Sequence, residues 1–248
     1  MNTLPHLLAR YRARERGVTL VELLIAVAMA VFLLAGLFTI VFSTRRVYAS
    51  QNLMAQLQDN ERMAMTMISD VVQQAGYYPD PTQYTQTGSF PVSGAFATVG
   101  QSVVGTYSAA APGDTITVRY MTASGDLMIN CTGGTNSSGA TQLYVNQFLI
   151  DASGYLACSL NGAANVELVS GLQNMSILYG VKTDFTFDNG APDSYMNASQ
   201  MSAINWMNVI TAKITLTFVN PLASQPGQPA TIVFQRVVAV MHETGVTT

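Results

Sequence analysis

The sequence predicts an α+β protein: a long N-terminal hydrophobic α-helix packed against an antiparallel β-sheet C-terminal body. Three observations carry that expectation. An uncharged apolar run fills residues 23–42, enough to cross a hydrocarbon core as a helix. A helical period then continues from Met54 to Ala75. From Thr115 onward the apolar period changes to two, in short runs separated by Gly, Pro, Ser and Asn, as strands and turns require.

The 248 residues are 49% hydrophobic and 10% charged, where a soluble domain carries about 25% charged residues, so a disordered chain is excluded. Arg10, Arg12, Arg14 and Arg16 against Glu15 give the first 17 residues a charge of +3. Residues 18–248 carry seven basic and thirteen acidic side chains, a net of −6. Such a body offers no electrostatic footprint for nucleic acid, and no direct nucleic-acid binding is expected. Two His (His6 and His242) and two Cys, far apart in sequence, are too few for a structural zinc site.

The four Arg before the apolar run outnumber Arg45 and Arg46 after it, which keeps the N-terminus in the cytoplasm and sends the body outward. A plain anchor, a secretory signal peptide and a precursor trimmed on the cytoplasmic side all fit this segment. Val47-Tyr48-Ala49 before Ser50 suits a signal peptidase, but the run exceeds the usual apolar length and Arg45 and Arg46 interrupt the approach. Glu22 stands near the start of the run. An ionisable residue there is by default functional and paired, and the competing reading is a side chain that snorkels to the headgroups.

Met54, Leu57, Ala64, Ile68, Val71 and Ala75 recur at spacings of three, four or seven, with Gln51, Gln58, Asp59, Arg62, Ser69 and Gln73 between them, an amphipathic pattern. Met63, Met65 and Met67 are expected as adaptable packing. No Pro interrupts positions 6–78, and Gly76 before Tyr77-Tyr78-Pro79 fits a helix end. A helix over 18–75 would span roughly 87 Å at 1.5 Å per residue. Residues 80–113 read as irregular. Strands are expected at 115–121, 126–130, 141–150, 154–158, 165–181, 207–219 and 230–240, with Ile214, Leu216 and Phe218 on one face. Pro221, Pro226 and Pro229 mark the last connection.

Cys131 and Cys158 lie in the exported body, where an even count favours a disulfide; two buried free thiols are the alternative. Asp184, Asp188, Asn189 and Asp193 can supply oxygen ligands to calcium. Their spacing begins like an EF-hand loop, but Asn189 takes the place of the obligatory Gly and no Glu follows at the twelfth position, so an Asx-rich turn competes with the metal. Asn130, Asn136, Asn174 and Asn197 head Asn-x-Ser/Thr sequons. No nucleophile elbow or phosphate-binding Gly loop occurs, and a non-catalytic role is expected.

The segment Arg16-Gly17-Val18-Thr19-Leu20-Val21-Glu22-Leu23-Leu24-Ile25 resembles the start of type IV pilin precursors: a basic leader ending in Gly, then a hydrophobic helix with Glu in fifth place. The resemblance implies cleavage between Gly17 and Val18 by a prepilin peptidase, N-methylation of Val18, and a role for Glu22 in assembly. Val18 stands where major pilins generally carry Phe, which points toward a minor subunit. The segment Glu167-Leu168-Val169-Ser170-Gly171-Leu172-Gln173-Asn174-Met175-Ser176-Ile177-Leu178-Tyr179-Gly180-Val181 is similar to a stretch of PilW-type minor pilins, which are related to the J-type minor pseudopilin of type II secretion.

What this resemblance implies is a type IV pilin-like fold divided as 1–17 leader, 18–76 long helix (membrane-embedded at about 20–42, amphipathic at about 43–76) and 77–248 periplasmic or extracellular body. It implies a non-enzymatic minor pilin, without cofactor, that primes pilus assembly and sits near the tip in support of twitching motility, attachment or DNA uptake. Its implied partners are other minor pilins, the major pilin, the prepilin peptidase, the inner-membrane assembly platform and a large tip adhesin. Before assembly it would be a single-pass inner-membrane protein. A pseudopilin of type II secretion and a membrane-anchored periplasmic binding domain are the alternatives.

Overall fold

The computed structural model describes residues 17–184 and 190–240, and the chain divides into two compact units, Met1–Gln51 and Asn52–Thr248. Helix α1 runs Leu20–Gln73 and contributes to both. Its start is set by Thr19, whose Oγ1 accepts the N–H of Glu22 at 3.2 Å and whose carbonyl accepts that of Leu23 at 3.1 Å. A side-chain oxygen on an orphan N–H is what an N-cap supplies, so the helix begins two residues after the expected position 18.

In the first unit every described residue from Gly17 to Ala49 is exposed. The apolar side chains of 23–42 therefore have no cover from the described residues, and α1 is long and apolar enough there to cross a membrane. Thr39, a polar residue inside the run, donates its hydroxyl to Ala35 O at 3.0 Å. That bond satisfies the hydroxyl without water.

In the second unit α1 buries Leu57, Ala64, Met65, Ile68, Val71 and Val72, close to the face that the sequence period indicates. Ser69, expected on the polar face, is buried as well. Among the three methionines only Met65 is in the core, while Met63 is exposed. Gly76 ends the helical segment at φ +77° and donates its N–H to Arg119 O at 2.9 Å.

Two antiparallel sheets form the body. The first has the order β1-β2-β3-β4-β5 (Val103–Thr106, Thr115–Thr122, Gln142–Ile150, Tyr155–Leu160, Val166–Ser170). The second has the order β7-β6-β8-β9, with β6 at Leu172–Val181, β7 at Ser194–Met196, β8 at Val209–Val219 and β9 at Thr231–Ala239. Short helices α2 (Gln86–Ser89) and α3 (Ala203–Met207) and a 3₁₀ turn at Ala198–Gln200 lie in the connections. One continuous core joins the inner faces of both sheets to α1 from Leu57 to Val72 and to Ala75 just beyond it.

Asp114 ties the sheets together. Its carboxylate accepts from Ser108 N at 2.9 Å and from Ile177 N of β6 at 2.7 Å. Its own N–H reaches Met175 O at 2.8 Å, and Met175 N returns to Pro112 O at 3.1 Å.

Four segments depart from expectation. Residues 126–130 form a turn instead of a strand, because the Asp126 carboxylate gathers Thr122 Oγ1, Ala123 N and Met128 N within 3.0 Å, a local alternative to ladder bonds. The run 165–181 breaks at Gly171, whose φ of +88° sends β5 to one sheet and β6 to the other. The 207–219 run starts at Val209, after α3. The 80–113 stretch contains α2 and β1.

Candidate processing and assembly site

Gly17 and Val18 precede the first turn of α1 and are exposed. Nothing lies within 4 Å of a Cβ built on Gly17. The peptide bond between them is therefore in non-helical chain, the form in which a peptidase can take up a substrate. Arg10, Arg12, Arg14 and Arg16 lie outside the described residues.

Glu22 sits in the first turn of α1, where the helix dipole favours a carboxylate. Its N–H is already bonded to Thr19 Oγ1, so Thr19-x-x-Glu22 has the spacing of a capping box. That pattern stood in the sequence beside the pilin motif. Val18 lies outside α1, two residues before its first residue Leu20.

The structure brings Cys131 and Cys158 together as a disulfide, with Cα atoms 6.1 Å apart, a separation a disulfide tolerates. Both are buried. Cys158 belongs to β4 and Cys131 to the 123–141 connection, where Cys131 N donates to Asn146 Oδ1 at 2.9 Å. The same connection uses its sequon asparagines structurally. Asn130 Oδ1 accepts from Thr132 N and Gly134 N, and Asn136 Nδ2 donates to Thr122 O and Ala140 O, all at 3.0 Å or less; both residues are buried.

Of the calcium candidates, Asp188 and its neighbour Asn189 lie outside the described residues. Asp193 accepts from Asp184 N and Thr183 N, each at 2.7 Å, and from Lys182 Nζ at 3.3 Å. The N–H of Asp184, then that of Thr183, hold its carboxyl down at about 2. Asp184 enters this arrangement through its backbone N–H. Among the described residues no group of three His, Cys, Asp or Glu converges.

The 167–181 motif builds core. Leu172, Met175, Ile177, Tyr179 and Val181 all point inward and are buried. Tyr179 meets Trp206 edge-on at 4.7 Å between centroids, and burial pushes its phenol pKa up. Gly180 is needed by its neighbours, since a Cβ there would collide with Thr211 and Pro192. The Tyr-Gly pair of the motif is thus one buried ring followed by one close approach.

Arg119 is a residue that sequence reasoning missed. Fully buried in β2, it donates from Nε to Gln101 O at 2.7 Å, from Nη1 to Pro91 O at 2.6 Å and from Nη2 to Phe90 O at 3.1 Å. Burial lowers its pKa to about 10, which leaves it charged at neutral pH. The 90–102 segment is pinned over β2 by this one cation.

Two open grooves lie on the body. One, of about 540 Å³, lies between the end of α1 and the 126–129 turn and is lined by Asp70, Gln74, Tyr77, Asp126, Leu127 and Ile129. The other, of about 450 Å³, crosses β2 to β4 and has an uncharged lining that includes Thr117, Gln147 and Ser159. Neither groove pairs a nucleophile with a base, the minimum for covalent or general acid–base chemistry.

Comparison with known proteins gives two family matches. Residues 12–38 match the prokaryotic N-terminal methylation motif, and residues 134–240 match the type IV pilus-assembly protein W family. A solved structure, a type IV-like pilin from Thermus thermophilus, is similar at 12% identity over 75% of this chain and 96% of that one, with a TM-score of 0.42. No curated protein sequence matches. The family is one of structural pilins rather than enzymes, and it implies assembly with other pilins and handling by a prepilin peptidase. With an apolar helix of membrane-spanning length behind the methylation motif and a disulfide-bonded antiparallel β-body, the chain is similar to type IV pilins of the PilW kind, over residues 12–38 and 134–240.

Proposed function

We propose that the chain is a minor pilin that is cut after Gly17, joins other minor pilins in the inner membrane through its apolar helix, primes filament growth and stays at or near the tip. The carrying observation is the uncovered helix: residues 17–49 are all exposed, and 23–42 have no charge. An apolar surface of this extent needs lipid or partner helices around it. Before assembly, lipid provides the cover with the N-terminus in the cytoplasm; in the filament, neighbouring helices replace it. Glu22 is the polar group that this exchange must accommodate, and an amine at position 18 of the same or a neighbouring subunit is its partner. A tip adhesin presented by this complex would make attachment, twitching and DNA uptake downstream consequences.

Deletion of the gene tests the reading. Surface pili should fall in number, and the protein should co-purify with other minor pilins in amounts far below the major subunit. Abundance equal to the major subunit would refute a priming role. Loss of a secreted protein with pili unaffected would move the chain to a secretion pseudopilus.

A further inference from the structure

Four strands end the two sheets, and three of their edges are short: β1 has four residues, β5 five and β7 three. Next to β5 the ladder is also irregular between Leu156 and Ala157, and β5 carries Glu167. The fourth edge is different. β9 runs nine residues, Thr231–Ala239, in unbroken register with β8. It contains no Pro and no bulge, two of the devices by which natural proteins blunt an exposed edge, and its one charge is Arg236.

The ladder shows which backbone groups are left over. Val240 N donates to Ile210 O at 2.8 Å, and Asn220 N donates to Ala230 O at 3.0 Å. The even-numbered residues of β9 thus exchange bonds with β8. In an antiparallel pair the alternate residues point their N–H and C=O the other way. Thr231, Val233, Gln235, Val237 and Ala239 therefore aim their N–H and C=O at the free edge. On the outward face Val233 and Val237 are 58% and 51% exposed. On the inward face Arg236 is exposed and forms no ion pair among the described residues.

We propose that this edge receives an extended segment of a different pilin-type subunit as a tenth strand of the body. The segment needs about five residues, apolar side chains at alternate positions over Val233 and Val237, and an acidic residue beside Arg236, since opposite charges on facing strands attract. A second copy of this chain does not fit. Two β9 strands paired antiparallel about Gln235 would set Arg236 of one diagonal to Arg236 of the other on the same face of the sheet, and like charges on neighbouring strands repel. The inference rests on the proposed assembly with other pilins, and it adds the surface and the chemistry of the contact.

The test uses the full-length chain with Gln235→Cys in cells that make filaments, labelled with a maleimide polymer and, separately, with a maleimide that carries a benzophenone, whose photo-insertion into a neighbouring C–H bond needs no thiol on the partner. Labelling should be at least about tenfold slower in sheared filaments than in the detergent-solubilised chain, and the cross-linked product should contain a second, different pilin. Val233→Pro with Val237→Pro removes two edge donors while sparing every bond to β8. It should keep the Cys131–Cys158 disulfide and lose about tenfold of the co-purified partner. Equal labelling in both states overturns the proposal, as does partner recovery by the double variant at the wild-type level. A product of twice the chain's mass assigns the edge to a second copy, and protection already present in the solubilised chain assigns it to residues 241–248; both overturn it. A wild-type chain absent from filaments and from complexes with other pilins overturns the proposed function and this inference together.

Discussion

The guanidinium carbon of Arg119 lies 4.1 Å from the centroid of the Phe96 ring, and the same group donates to three backbone carbonyls of the segment it faces. Among the described residues no carboxylate bonds to it. A cation on an aromatic face and three carbonyl dipoles take the place of water. Arg119→Met should lower stability by on the order of 3 kcal/mol, because it strands buried acceptors. Arg119→Lys should recover only part of that, since an ammonium cannot span the three carbonyls as a planar fork does. Thermal unfolding checks both, and a lysine variant as stable as wild type would assign the site to charge alone.

The disulfide closes a loop with a sequence separation of 27. Loop-entropy reasoning gives roughly 3–4 kcal/mol for a closure of this size. Replacing Cys131 and Cys158 together by Ser should lower the melting temperature correspondingly. In native periplasmic material neither thiol should react with an alkylating reagent until a reductant is added.

Processing should leave Val18 as the first residue, N-methylated. Mass analysis of the membrane-extracted protein reads this directly. A chain that begins at Ser50 would mean ordinary secretion, and would also remove the apolar helix on which assembly depends.

Glu22 separates two effects that coincide in wild type. Its backbone N–H is capped by Thr19 whatever its side chain is, so Glu22→Gln keeps the helix start and removes only the charge. Both Glu22→Gln and Glu22→Ala should insert and be cleaved normally while recovering less of the partner pilins at equal protein levels. Thr19→Ala should weaken the first turn with the carboxylate intact. Wild-type association by both Glu22 variants would leave the side chain a role only at the headgroups.

Asp193 predicts an acid transition at the backbone of Thr183 and Asp184. Its folded pKa, about 2, lies below the ordinary 3.8. The ionised form is thus favoured by folding, and its contribution is complete above the unfolded value and lost as pH falls toward 2. Protection factors of the Thr183 and Asp184 amides, in which the intrinsic pH dependence of exchange is divided out, should fall between pH 4 and pH 2 and stay constant from pH 5 to 8. Asp193→Asn should abolish the dependence.

Periodicity read the helix well because burial and solvent alternate along it without interruption: Leu57, Ala64, Ile68 and Val71 face the core as their spacing requires. It failed where a second layer intervened. In β2 the alternation gives Arg119 to the solvent side together with Thr117, yet both are buried under the 90–102 segment. Nothing in a polar, Gly-rich stretch announces that it will cover a strand. Residues 126–130 misled for the opposite reason: Leu127, Met128 and Ile129 look like strand, but the Asp126 carboxylate binds the backbone on both sides of itself. At the processing site the residues were all visible, and what the structure adds is that Val18 lies before the helix and Thr19 starts it.

Asp114 has a mechanical consequence. Under tension a body yields at the contacts between its layers, and here three short bonds gathered around one buried acid join the first sheet to the second, while Ser108 N holds that acid from its own side. Pulling one sheet along the other stresses those bonds side by side, so they share the force and must fail together rather than open in sequence like a zipper. A slip of one residue would strand the carboxylate away from the N–H of Ile177 in a place that water barely reaches. The body should therefore respond to tension as a single rigid block, with its compliance left to the connections that surround it.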